Sequence, residues 1–272
     1  LRAAMRPWVV INKEVGETPL DAVEQYRSWH PGLKDVKMAY AGRLDPMASG
    51  KLLVLLGDEC KKQTEYHDLD KTYEVDVLLG LKSDSGDVLG LTTSPEKHPE
   101  PFPARIIAQA VKQQRGSFTA PYPQFSSKTV QGKPLHTWTL EGRLDEIDIP
   151  TQTGEIYEIS VNKIKTITTA ELRKAVPEKI NSIPEVTDPR KVLGANFRRD
   201  EVLASWQQVW DAQPAATYQL VTIKVICSSG TYMRSLAERI GETLGTTALA
   251  YHIHRSEIGR YKKRLFGLGG RY

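Results

Sequence analysis

Cysteine is nearly missing from this chain: among 272 residues only Cys60 and Cys227 occur, far apart. Two such thiols exclude a disulfide framework and a zinc ribbon, and they read as reduced side chains of a cytoplasmic protein. Long hydrophobic runs are missing too, since no stretch approaches the ~20 apolar residues that cross a bilayer as a helix. The opening LRAAMRPWVVINK is too short and mixed for a signal peptide, and Met5 reads as an internal start. No phosphate-binding Walker sequence is present, and the final GLGGRY lacks the strand before it and helix after it that a dinucleotide loop requires. The six histidines include a pair at 252 and 254, but no carboxylate or thiol stands beside them at metal spacing, so they read as core or surface residues. Charge of either sign is not in excess. The 37 basic and 33 acidic residues give +4, which permits a polyanionic partner without demanding one.

What is present is ordinary in amount, with 40% hydrophobic and 26% charged residues, and informative in order. WVVINK reads as a strand that feeds GETPLDAVEQYRSW, where Thr18 fits an N-cap, Pro19 the first helical position and Asp21 the third member of a capping box. LLVLL (52–56) reads as a buried strand. YEVDVLL (73–79) alternates, with Tyr73, Val75, Val77 and Leu79 facing one way. Residues 103–115 carry a helical stripe of Ile106, Ile107, Ala110 and Val111, stopped at Gly116. YQLVTIKVIC (218–227) predicts a strand that ends at CSSG and opens a helix striped by Met233, Leu236, Ala237, Ile240 and Leu244. Between these, residues 150–215 are threonine-rich and punctuated by proline, with short helices near 169–176 and 200–210; they read as an insertion or arm on the main domain. Strand and helix signals do not alternate strictly, which predicts an α+β fold with a central mixed, mainly antiparallel sheet and flanking helices.

Asp45 lies in AYAGRLDPMASGKLLVLLG (39–57), between Gly42 and Gly50 and beside Arg43 and Pro46. An aspartate before proline is an ordinary turn residue. Two glycines and an anchoring strand also let another molecule approach the backbone, and a carboxylate held there can act as a nucleophile if a cation keeps it ionised. Arg234 occupies the first turn of its predicted helix, where a cation is disfavoured by roughly 0.3–1 kcal/mol. An arginine there has either solvent or an anion to meet. Tyr73 begins the apolar face of its strand, so its hydroxyl needs a partner if buried. Cys227 with Ser228 and Ser229 is better explained as a strand end with serine caps than as a nucleophile.

Taken in order, these segments resemble the TruB-type pseudouridine synthases. GRLDPMASGKLLVLLG is similar to the family's Gly-x-x-Asp-Pro signature, KTY (71–73) to its Lys-x-Tyr strand start, and GLKSDSGDVLG to its loop near Asp87. CSSGTYMRSLAERIGETLG is similar to its Cys-Ser-x-Gly-Thr-Tyr-x-Arg-Ser-Leu segment, and WVVINKEVGETPLDAV and HRSEIGRY also fit. The resemblance covers roughly residues 7–145 and 216–262. It implies a pseudouridine synthase fold and the isomerisation of uridine 55 in the T-loop of tRNA, with no cofactor, no metal and no membrane, by a cytoplasmic monomer whose partner is the tRNA T-arm. By the same resemblance Asp45 is the nucleophile, Arg234 its ion-pair partner through a bidentate contact, and Tyr73 the ring that stacks on the flipped uracil and assists proton removal. Substrate contacts are implied for Tyr40, Gly42, Arg43, Asp87, Tyr232, Ile253 and Arg255. The sequence departs from the family where Tyr40 stands for a histidine, Ile253 for a leucine, and Ala120 and His136 for the glutamine and tyrosine of a proline-rich loop. Residues 1–272 read as the catalytic domain alone, without the RNA-binding PUA domain that usually follows. The 150–215 segment is expected to supply a substitute arm with RK (190–191) and FRR (197–199) as basic points, and 252–264 is the densest basic and aromatic stretch for RNA. A catalytically silent RNA-binding or tRNA-folding protein on the same scaffold, and a family member with another RNA target, are the alternatives.

Overall fold

The computed structural model describes residues 6–184, 198–263 and 269–270. One sheet of eight strands organises them. Its strands are β1 (Trp8–Lys13), β2 (Met38–Ala41), β3 (Ala48–Leu56), β4 (Asp70–Leu79), β5 (Gly116–Pro121), β6 (Thr151–Thr168), β7 (Thr217–Cys227) and β8 (Ala248–Gly259). The order across the sheet is β1-β3-β8-β4-β7-β6-β5, with β2 also paired to β3. Every pairing is antiparallel except that of β3 with β8, where Ala48, Ser49 and Gly50 face Ile253, His254 and Arg255. The sheet is therefore mixed and mainly antiparallel, as the sequence predicts.

The helices are α1 (Pro19–Trp29), α2 (Ala104–Gln113), α3 (Leu135–Leu140), α4 (Thr169–Asn181), α5 (Arg199–Ala212) and α6 (Met233–Thr243). α1 starts as expected: the Thr18 hydroxyl accepts from the Asp21 amide, and the Asp21 carboxylate accepts from the Thr18 amide. The stripe of α6 is buried through Met233, Leu236, Ala237 and Ile240, and Gly245 follows with φ +71°, the left-handed turn that ends a helix. Its start differs from expectation. The cap position is Tyr232 without a side-chain cap, while the Ser228 hydroxyl accepts from the Glu155 amide at 2.8 Å and the Ser229 hydroxyl donates to the His67 carbonyl.

The main core lies between the central strands and helices α2, α4, α5 and α6. Val75, Val77, Leu78, Val221, Ile223 and Val225 are fully buried there, each side chain contributing about 1.5–3 kcal/mol on burial. A smaller cluster of Ile11, Leu52, Val54 and Leu56 packs under Ala22 and Val23 of α1.

Residues 150–215 are not an appendage where they are described. β6 runs for 18 residues, paired to β7 from Ile156 to Thr168 and to β5 from Thr151 to Ile156. Leu172, Val176 and Ile180 of α4 and Val202, Trp206, Val209 and Trp210 of α5 enter the main core. The Trp206 indole donates to the Val88 carbonyl at 3.1 Å, tying α5 to the loop after β4. These buried apolar faces would be unstable on a detached arm, which is why the segment joins the domain. Arg190, Lys191 and Phe197 lie outside the described residues.

Candidate active site

Asp45 sits in the loop between β2 and β3, and buried cations hold that loop by its carbonyls. The Arg255 guanidinium, on a residue only 1% exposed, donates to the carbonyls of Lys51 (2.7 Å), Arg43 (3.1 Å) and Gly42 (3.0 Å). Lys13, fully buried at the end of β1, donates to the carbonyls of Ala48 (2.6 Å), Glu14 (2.9 Å) and Pro46 (3.4 Å). The Ala48 amide donates to the Asp45 carbonyl at 3.0 Å, and Gly42 takes φ +78°, which favours glycine. The backbone is thus pinned on both sides of Asp45, while the carboxylate remains 41% exposed.

Arg234, in the first turn of α6, meets that carboxylate from below. Its Nε lies 2.9 Å from Asp45 Oδ2, as a salt bridge whose N–H is not aimed along a hydrogen-bond line. The expected bidentate pair does not form, because Nη1 donates to the Ser85 carbonyl at 2.9 Å and Nη2 to the Phe125 carbonyl at 3.1 Å. A second carboxylate, Asp87, brings Oδ2 to 3.9 Å from the same Nε. Asp87 is 4% exposed and accepts from the Ser85 hydroxyl (2.7 Å) and the Leu89 amide (2.9 Å). Burial pushes its carboxyl above the ordinary range, opposed by the Arg234 charge and the Ser85 hydrogen bond. For Arg234 itself burial works against the charge, but Asp45 and Asp87 outweigh it and hold the group above its usual range.

Tyr73 is buried, and burial pushes its phenol up, opposed by the charge and hydrogen bond of Arg255. Tyr232 is half-buried, its ring edge-on to Tyr122 at 6.2 Å and 5.9 Å from the Arg234 guanidinium. Burial and then the Asp45 charge push the Tyr232 phenol up. Asp45, Arg234, Asp87 and Tyr232 lie together, and Tyr73 stands opposite Arg255, which grips the Asp45 loop, in the pairing of β4 with β8.

Most of the other expected contacts are wholly or partly buried. Asp87 lies behind Arg234 instead of facing solvent. Ile253 is 4% exposed, paired with Ala48 and Val75 inside the main core. Arg255 grips loop carbonyls from the interior. Tyr40 packs in the small cluster under α1. Gly42 and Arg43 lend carbonyls to Arg255, and only the Arg43 side chain is exposed. In the basic run 252–264, β8 carries the chain to Gly259 with Ile253 and Arg255 buried, Arg260 and Lys262 are exposed, Tyr261 stacks on Tyr157 with ring centroids 4.6 Å apart, and Arg264 lies outside the described residues. Arg198 is paired with Asp84, and Arg199 donates to the Ile183 carbonyl, so neither is a free basic point.

Lys13, which holds the Asp45 loop, is absent from the candidates the sequence offers. Its signal was readable, since Ile11 and Lys13 share the inward face of β1 in a strict two-residue alternation. Lys71, in step with Tyr73 on β4, donates to the His67 carbonyl (3.0 Å) and the Ser229 hydroxyl (3.1 Å). Burial lowers both lysines to about 8, with the carboxylates of Glu17 and Asp45 opposing for Lys13 and the Arg255 charge reinforcing for Lys71. Four buried cations, Arg234, Arg255, Lys13 and Lys71, around one accessible carboxylate suit an anionic ligand. Among the described residues no cluster of three or more histidine, cysteine or acidic side chains could hold a metal ion, and no helix is long and apolar enough to cross a membrane.

The fold is that of the pseudouridine synthases. Over 92% of this chain and 48% of the other, it superposes on a chain of a Cbf5–Nop10–Gar1 complex with a TM-score of 0.54 at 19% identity. The model of the TruB family pseudouridylate synthases, N-terminal domain, matches residues 31–177, and the chain belongs to that family. It is 28% identical over 251 residues to a tRNA pseudouridine synthase B of Caldicellulosiruptor saccharolyticus, covering 92% of this chain and 67% of that protein. With the enzyme of the same name from Bacillus pumilus it shares 27% identity, covering 93% of this chain and 65% of the relative. The chain thus spans about two thirds of the length of these relatives.

Proposed function

We propose that this protein isomerises uridine to pseudouridine in tRNA, at position 55 of the T-loop, with Asp45 as nucleophile. The observation that carries this reading is the 2.9 Å approach of Arg234 Nε to Asp45 Oδ2, made by an arginine that is itself buried while the aspartate stays open to a ligand. The names of the tRNA-modifying relatives support the substrate class.

A uridine stacked in a loop must be extruded before any side chain reaches it, at a cost of a few kcal/mol. Phosphate contact with basic surface such as Arg43, and stacking of the extruded base on Tyr73, offset that cost. Asp45 then attacks the nucleoside, at C1′ or at C6, and the carbon–oxygen bond it forms breaks again as the product is completed, which returns the free carboxylate. The C1′–N1 bond breaks, the uracil rotates within the pocket, and a C1′–C5 bond forms. The proton leaves C5 beside Tyr73 and N1 gains one, so no oxidant or reductant enters the balance. Arg234 keeps the carboxylate aimed throughout, part of the preorganised electrostatic role that supplies much of enzymatic rate enhancement.

Asp45→Asn tests the reading. Incubated with a T-arm stem-loop and assayed by carbodiimide labelling and mass shift, the wild type should form pseudouridine and the variant none, with RNA affinity retained. A variant that turns over at the wild-type rate removes Asp45 as nucleophile.

A further inference from the structure

We propose that Arg198 is a positioning residue for Arg234, and through it for Asp45; the proposal rests on the catalytic reading above. Arg198 precedes α5, within the segment the sequence marks as an insertion. Its two terminal nitrogens bind the Asp84 carboxylate in a fork, Nη1 to Oδ2 at 2.6 Å and Nη2 to Oδ1 at 3.0 Å. The same guanidinium lies over the Phe125 ring, 4.5 Å from its centroid. These two partners are the neighbours of the groups that fix Arg234. The Ser85 carbonyl, one residue beyond Asp84, accepts from Arg234 Nη1, and the Phe125 carbonyl accepts from Nη2.

One planar cation thus grips both loops whose carbonyls hold the second. Those loops come from distant parts of the chain, one following β4 and one following β5. The first joins the short paired strands Lys82–Ser83 and Thr92–Thr93, but neither the Ser85 nor the Phe125 carbonyl is itself in a sheet ladder. With both carbonyls in place the terminal nitrogens of Arg234 are spent, and only Nε is left to face Asp45. If either loop drifts, a terminal nitrogen is released, the guanidinium plane turns, and the approach to Asp45 changes.

The backbone at Arg198 points the same way. It adopts φ +51° and ψ +38°, the left-handed region that glycine or asparagine occupies more easily, and caps α5 with no side-chain hydrogen bond to the helix. A residue chosen only to start a helix would be a poor choice there. An arginine is well chosen to carry a fork across to Asp84, because lysine can supply neither the paired donors nor the flat face over Phe125. Asp84 is further oriented by the Leu91 amide at 2.9 Å.

The test compares Arg198→Ala, Arg198→Lys, Asp84→Asn and Phe125→Leu with wild type, using a T-arm stem-loop at saturation. The exposed pair partner Arg173, 3.3 Å from Asp211, supplies the control Arg173→Ala. Misplacement of Arg234 should lower the single-turnover rate of Arg198→Ala roughly 10- to 100-fold. RNA affinity should stay within about twofold, since the lost interaction acts on the chemical step and not on binding. Asp84→Asn should be comparably slow, and the double variant no slower than either single one, because both break one coupling. Arg198→Lys should recover part of the rate, and Arg173→Ala all of it. Independently of turnover, the Arg234 Nε–H resonance, assigned by its loss in Arg234→Lys, should shift or broaden in Arg198→Ala. Should that variant fail to fold, Asp84→Asn and Phe125→Leu carry the same readouts. A wild-type rate with an unmoved resonance overturns the proposal, as does a loss confined to RNA affinity or strict additivity in the double variant. If wild type forms no pseudouridine in any RNA, the functional reading fails instead, and the resonance still decides whether Arg198 positions Arg234.

Discussion

Replacing Arg234 by methionine should unfold this protein far more readily than replacing Asp45 by asparagine, although the two side chains form one salt bridge. Arg234 is 3% exposed and serves two carboxylates and two carbonyls: Asp45, Asp87, Ser85 and Phe125. Methionine fills a similar volume and abandons all of them. Asp87, itself buried, then loses its cation, and removing one member of a buried pair costs about 3–5 kcal/mol. For a domain of this size each kcal/mol lowers Tm by about 2–4 °C, so the melting point should fall by roughly 6–20 °C. Asp45→Asn leaves Arg234 with Asp87 and both carbonyls, and the acid it removes is 41% exposed, so the cost should stay below about 1 kcal/mol.

The acid left behind in Arg234→Met adds a second signature. Burial already holds the Asp87 carboxyl above its ordinary 3.8, and without Arg234 it must rise further. A folded pKa above the unfolded one means that the folded state binds the proton more tightly, so the penalty is full above the folded pKa and shrinks as pH falls through it. The stability gap between variant and wild type, measured by urea unfolding, should therefore narrow from mildly alkaline to mildly acidic pH. An Arg234→Met protein melting within about 2 °C of wild type, or Asp45→Asn falling as far as Arg234→Met, would refute the placement of Asp87 as the reserve partner.

Two further outcomes follow from the loop's supports. At Gly50, φ is +108° and an added Cβ would lie 2.3 Å from the Arg255 carbonyl oxygen, so Gly50→Ala should cost roughly 2–6 kcal/mol from strain and overpacking together, read from urea midpoints. Lys13 titrates near 8 in the folded state against 10.5 ordinarily, so between those values the unfolded chain holds a proton that the native state has released, and the contribution of Lys13 to stability rises with pH. Lys13→Met should flatten that rise by up to about 1.4 kcal/mol per pH unit; an unchanged slope would place Lys13 in water.

Local signals carried much of the fold into the sequence. The capping box at Thr18 and Asp21, the alternation from Tyr73 to Leu79 and the stripe of α6 each depend on neighbours a few residues away, and each element forms as read. The cation in the first turn of α6 had either solvent or an anion to meet, and Asp45 is the anion it meets. What depends on register or on another chain segment was less legible. β6 lies in a segment whose threonine and proline content suggests an arm, yet threonine and isoleucine are β-branched and suit a half-exposed strand. The stripe of α5 was visible, but no local pattern says that Trp206 will find the Val88 carbonyl. Ile253 and Arg255 lie inside because the parallel register of β8 on β3 turns them under the loop, and a register of that kind joins segments two hundred residues apart. The expected bidentate pair failed for a related reason: the competitors for Arg234 are peptide carbonyls of irregular loops, which every residue owns and no side-chain pattern reveals.

Those carbonyls explain how the acid can be open and fixed together. A loop leaving a sheet loses its ladder partners, and its buried carbonyls need donors from elsewhere. Around Asp45 the donors are charged: Arg255 takes Gly42, Arg43 and Lys51, while Lys13 takes Pro46 and Ala48. Hydrogen bonds from charged donors are about twice as strong as neutral ones, so few of them hold the turn without packing against the carboxylate itself. Neutral donors of the same geometry would fix the backbone equally well in shape. They would not supply a positive field of the kind that attracts an anionic ligand. Charged donors buried beneath the loop do both, so Arg255 fixes the backbone around Asp45 from the interior while the carboxylate stays open.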